Sequence, residues 1–231
     1  PAVAIINPKR QDETGQLDYL CAAGVVFLFL VSLNRILRER GIGAPDIMNF
    51  LDLVALATVA AVVPLIGLNR AIVSQGLKIF AKRERPGLVA LSDEANLKTQ
   101  PTTYHLSYLI APRINAAGRL SDAKFAVKLL TASSDLEAIK IARELNELNI
   151  KRQLLQEEAL LEAITQVEKK QQEKNNVIWV ASNHWHPGVL GIIAAKLKEK
   201  YCTPALVFSI DDNGLAIGSA RSSSGCPASR F

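Results

Sequence analysis

Val177-Ile178-Trp179-Val180-Ala181-Ser182-Asn183-His184-Trp185-His186-Pro187-Gly188-Val189-Leu190-Gly191-Ile192 changes its period halfway along. Residues 177–180 form an unbroken apolar run, the pattern of a buried strand. Pro187 and Gly188 then set a turn and open a helix from Gly188 to Lys200. Ala205-Leu206-Val207-Phe208 reads as a second strand and Leu215 to Gly218 as a third. Strand, helix and strand joined by short loops predict a small α/β domain. Trp179, inside the first apolar run, is expected in the core.

Upstream the pattern is helical. Asp135 opens a long helix on which Ile141, Leu145, Leu148, Leu155 and Ala159 share one face, and it runs to the polar stretch 168–176. Arg152 interrupts that seam, which speaks against a coiled coil. About 35 residues at 1.5 Å each span roughly 50 Å, enough to bridge two lobes. Further helices are predicted over Leu17–Arg40, from an N-cap at Asp46 to about Val59, and over Asn69–Arg83. Residues 2–7 read as a strand. Lys82-Arg83-Glu84-Arg85 reads as a solvated helix end.

The bulk properties narrow the class. The 231 residues are 49% hydrophobic and 21% charged, which excludes a disordered chain, and the net charge of +5 suits a polyanionic partner. Cys21, Cys202 and Cys226 are odd in number and lack paired spacing, so neither a disulfide scaffold nor a zinc cluster is expected and a reducing cytoplasm is. No basic leader precedes a cleavage site, and both ends read as cut from something longer. Leu20–Leu33 and Leu51–Leu68 are apolar enough to weigh as membrane spans. The former is short for a ~30 Å core and the latter carries Asp52 and Pro64, so buried helices are expected.

Four segments carry possible chemistry. Leu51 to Leu65 is a buried helix ending at Pro64, with Asp52 near its start. In Ala111-Pro112-Arg113-Ile114-Asn115-Ala116-Ala117-Gly118-Arg119-Leu120, small residues admit a ligand to the backbone and two arginines can fork onto phosphate oxygens. The plainer reading is a tight turn between helices with solvated arginines. At His186-Pro187-Gly188 the helix start leaves N–H groups free for an anion. His184 and His186 lack a third metal ligand nearby, and a capping role is the ordinary one. In Gly218-Ser219-Ala220-Arg221-Ser222, alternate residues of a strand put a hydroxyl and a guanidinium on one face, able to hold a terminal phosphate.

In order and spacing these segments resemble the RecJ-type exonucleases of the DHH phosphoesterase superfamily, from Ala4-Ile5-Ile6-Asn7-Pro8-Lys9 to Ser222. The resemblance implies an α/β fold with three parts. Residues 1–133 would be the mostly helical C-terminal part of a DHH domain, 134–174 a connecting helix, and 175–231 a truncated DHH-associated domain. It further implies 5′→3′ hydrolysis of single-stranded DNA by two Mg²⁺ or Mn²⁺ ions, in DNA repair and recombination. Arg113, Asn115, Arg119, His186, Gly188, Ser219, Arg221 and Ser222 would meet the nucleic acid. Ser219 and Arg221 would hold the 5′ phosphate, and Arg119 would reach across the channel. Two departures stand out. The family's Asp-His-His segment would precede residue 2, and the Asp that binds metal in the family's version of the Leu51–Leu65 stretch is here Ala61. The fragment is therefore expected to bind no metal and to be inactive alone. The partners implied are single-stranded DNA and other repair proteins, with no membrane. The rival reading is a non-catalytic nucleic-acid-binding or scaffold protein on the same frame.

Overall fold

The structure, a computed structural model, describes residues 3–172 and 175–222 of the chain. It divides into two compact units, the first built from residues 1–114 and 127–143, the second from 115–126 and 144–231. The division passes through three helices, so neither unit is a continuous stretch of chain.

The first unit is helical. It contains α1 (Ala22–Glu39), a 3₁₀ turn (Met48–Phe50), α2 (Leu51–Ala60), α3 (Gly67–Phe80) and α4 (Pro86–Glu94). A π-helix (His105–Ile110) then runs directly into α5 (Ala111–Leu120), followed by α6 (Lys124–Leu130), both of which are divided between this unit and the second. Asp46 accepts from the Met48 N–H at 3.0 Å and starts the 3₁₀ turn rather than α2. Phe27, Ile47, Leu51, Val54 and Ile72 form a core cluster in this unit. α2 and α3 meet closely because Gly76 has no side chain; a Cβ there would overlap the Leu51 carbonyl. Asp52 is buried in the first turn of α2 and receives Arg85 in two hydrogen bonds of 2.9 and 3.1 Å, while Arg85 also lies 5.6 Å from the Phe50 ring centroid. The end of the basic run is thus tied into the core, not wholly solvated.

The second unit is α/β. The later half of α7 (Asp135–Lys169) and α8 (Pro187–Tyr201) accompany a sheet of β1 (Ile178–Ser182), β2 (Ala205–Ile210) and β3 (Ala216–Arg221) in the order β1-β2-β3. β1 and β2 are parallel, with Ile178 opposite Ala205, so α8 is the crossover between them. β3 returns antiparallel on β2, with Val207 opposite Ser219 and Ala205 opposite Arg221. Ala159, Ala163 and Val167 from α7, Ile178 and Val180 from β1, and Val189, Ile193 and Leu197 from α8 build the core. The predicted strands and crossover helix are present with boundaries moved by a few residues.

Several expectations are corrected. Residues 3–7 form no strand, and Val3, Ile5 and Ile6 are exposed, because a strand needs a neighbour for its N–H and C=O groups and none among the described residues pairs with them. α1 begins at Ala22, not Leu17. Trp179 is half exposed, with Lys170 Nζ 4.5 Å from its ring centroid, because strand alternation gives the inward positions to Ile178 and Val180. Pro112 lies inside continuous helix rather than a turn. It has no N–H to offer, and the wider π-helix preceding it suits a helix that lacks a donor there. Among the described residues, no helix is long and apolar enough to cross a membrane.

Candidate functional site

The sequence from β1 to α8 turns at His186-Pro187-Gly188. His186 is the N-cap, and its Nδ1 accepts the Gly188 N–H at 3.0 Å, while its carbonyl accepts the Val189 N–H at 3.1 Å. Those helix-start donors, expected to be free, are already taken by His186 itself; Pro187 has no donor to offer. Gly188 is required for a second reason. A Cβ there would overlap the Arg119 carbonyl oxygen at the end of α5. The Arg119 guanidinium closes the same contact, Nη1 donating to the Gly188 carbonyl at 3.2 Å. Arg119, His186 and Gly188 are therefore one assembly within the second unit.

β3 brings the next pair. Ser219 and Arg221 alternate along the strand and take the same face as their partners Val207 and Ala205, which are fully buried against α8. On that face they meet the second turn of α8. A Cβ built on Gly191 would lie 3.0 Å from Arg221 Nη2 and 3.2 Å from Ser219 Oγ. Arg221 Nη1 donates to Ser219 Oγ at 3.1 Å and to the Ala220 carbonyl at 2.8 Å. The hydroxyl and guanidinium thus sit over bare backbone, with Arg221 exposed and no carboxylate paired to it among the described residues. Gly218 permits this strand to pair, since a side chain there would collide with the Phe208 ring opposite. Ser222 ends the described chain beside Arg221. Cys226 lies outside the described residues.

The remaining residues singled out are placed separately. Asn115 is exposed on α5 in the second unit. Arg113 belongs to the first unit, where Nη1 donates to the Leu109 carbonyl at 2.6 Å. Burial lowers its pKa and the charge of Glu94 opposes that effect.

Beneath the turn is a network centred on an α7 carboxylate. Glu162 accepts from Trp185 Nε1 at 2.7 Å, pairs with His184 Nε2 at 2.8 Å and accepts from Gln166 Nε2 at 3.3 Å. Burial pushes the Glu162 carboxyl upward, but the hydrogen bonds from Trp185 and His184 outweigh it and hold the carboxyl below the usual glutamate value. His184 is thereby a partner of Glu162. Neither this network nor Gly191 was legible as part of a site, because the partners lie far apart in sequence.

Ala61 is exposed at the end of α2, where a methyl group cannot coordinate Mg²⁺ or Mn²⁺. Val62 follows with φ of 54°, a left-handed conformation that strains a β-branched residue. Asp52 is consumed by Arg85. Among the described residues, no group of three or more His, Cys, Asp or Glu side chains could hold a metal ion, so the residues present do not fit one.

No protein-family model matches the chain. It is 37% identical over 235 residues to the single-stranded-DNA-specific exonuclease RecJ of Escherichia coli, a match covering 97% of this chain and 41% of that protein. Among solved structures, exonuclease RecJ bound to manganese superposes with a TM-score of 0.77 at 31% identity, covering 94% of this chain and 52% of that one. RecJ of Thermus thermophilus in complex with Mg²⁺ gives a TM-score of 0.75 at 30% identity, over 96% of this chain and 33% of its own. The chain spans about two fifths of the length of the E. coli relative. In sequence and in structure, this chain is a homologue, along nearly its whole length, of a part of the RecJ single-stranded-DNA-specific exonucleases.

Proposed function

We propose that the chain is the end-gripping portion of a RecJ-like 5′→3′ single-stranded-DNA exonuclease, with Ser219 and Arg221 holding the 5′ phosphate. The observation that carries this reading is the placement of both side chains over Gly191, in the second turn of α8. An exposed guanidinium can present paired N–H donors to a phosphate, and a serine hydroxyl beside it adds another. A terminal phosphate monoester carries more charge and more free oxygens than a backbone diester, so this pair favours an end over the middle of a strand. Arg119 and Asn115, with His186 and Gly188 at the turn, would guide the strand, as would Arg113 and Ser222. In this reading residues 1–133 are the remainder of a DHH domain, 134–174 its connecting helix and 175–231 the DHH-associated domain. The setting is the cytoplasm, with other repair proteins as partners. In this reading the chain grips without cutting, since no metal-binding group accompanies these residues among the described ones.

The test is binding of oligothymidylate with and without a 5′ phosphate. The chain binds the phosphorylated strand more tightly, and Arg221→Ala lowers that affinity by about tenfold or more while scarcely changing the other. Equal losses for both strands would reduce Arg221 to a general backbone contact. A second reading, a non-catalytic single-strand-binding or scaffold protein, is favoured by Ala61 alone and predicts the same grip without cleavage even in a longer protein.

A further inference from the structure

In the second unit the buried stripe of α7 runs through Leu145, Asn149, Gln156, Ala159, Ala163 and Val167. Arg152 stands on that stripe, between the two buried amides. Its Nη2 donates to Asn149 Oδ1 at 2.6 Å and its Nη1 to Gln156 Oε1 at 2.8 Å. Both acceptors are neutral. Among the described residues no carboxylate pairs with Arg152 or with Arg119. Burial, and after it the nearby charge of Arg119, lowers the Arg152 pKa, so the two guanidiniums repel each other without a counter-charge.

A polar trio in the middle of an apolar helix face is expensive unless it has a task. Two buried amides that hold one guanidinium through Nη1 and Nη2 form a preorganised anion clamp. Arg119, whose charge acts on Arg152, donates to the Gly188 carbonyl at 3.2 Å at the turn of His186 and Gly188. We propose that Arg152 and Arg119 together bind a backbone phosphodiester of the strand whose 5′ phosphate lies on Ser219 and Arg221, with Asn149 and Gln156 as positioning residues for Arg152. The proposal rests on the end-grip reading for the location of the strand.

Binding of 5′-phosphorylated and 5′-hydroxyl oligothymidylate to the 231-residue chain, followed across a salt series, tests it. Gln156→Glu puts a carboxylate against Arg152 and cancels its charge without removing it. This variant melts at or above the parent's temperature. It binds both strands about tenfold more weakly with their ratio preserved. Its slope of log affinity against log salt is shallower by about 0.7 for the lost phosphate contact. Arg152→Lys, which keeps charge and loses the fork, falls between. If both variants bind like the parent while Arg221→Ala still erases the preference for a 5′ phosphate, the Arg152 clamp is overturned and the end grip stands. If the parent shows no such preference but Gln156→Glu still weakens binding with the shallower slope, the clamp stands and the end grip fails. Absence of binding by the parent overturns both.

Discussion

Gly191 decides at the residue scale whether Ser219 and Arg221 can lie over α8. Its Cβ position is only 3.0 Å from Arg221 Nη2, yet the atoms it would meet are the ends of movable side chains. Gly191→Ala should therefore raise helix stability by up to about 1 kcal/mol while displacing the guanidinium. Thermal melting will show an unchanged or higher midpoint, and binding will show a smaller preference for a 5′ phosphate. Glu162 supplies a pH dependence. Its folded pKa lies below the ordinary value of 4.5, so it stabilises the fold above that value and the contribution disappears as pH falls through the lower, folded pKa. Acid titration followed by tryptophan fluorescence should show unfolding in that window, and Glu162→Gln should flatten it. Alternation along 219–221 made the hydroxyl–guanidinium face legible from sequence alone, since period two is a local rule. The glycine beneath it and the glutamate under Trp185 were not, because contacts across 28 or 23 residues leave no local pattern.

The elements that sequence described well are those with a clear period. α7 and α8 bury apolar residues at helical spacing, and β1 to β3 alternate or run apolar between turns. Where an element depends on a partner the reading failed: residues 3–7 have strand composition but no pairing strand among the described residues, and Trp179 lies on the outward side of β1. The Asp52–Arg85 pair ties the start of α2 to the segment before α4, and no local rule links positions 33 residues apart. Asp52→Asn would leave the Arg85 guanidinium part-buried with a neutral partner. Removing one member of a buried ion pair costs about 3–5 kcal/mol, an upper figure here because Arg85 retains some solvent contact. Denaturant unfolding should register most of that loss.

For the whole molecule, order and spacing of motifs carried more than any one of them, which is why kinship was legible while the division into compact units at 114–115, 126–127 and 143–144 was not. Ala61→Asp supplies one carboxylate where the described residues hold no metal-binding group, so the chain should remain without Mn²⁺-dependent release of nucleotides from single strands. Appearance of such release would mean that the missing ligands are within this chain. The most direct measurement of the grip is ³¹P NMR of a 5′-phosphorylated oligothymidylate, whose terminal monoester resonates apart from its diesters. Adding the chain should shift or broaden the monoester signal, and Arg221→Ala should leave it where it is in free DNA. A monoester signal unmoved by the parent chain while the diesters respond would contradict the grip.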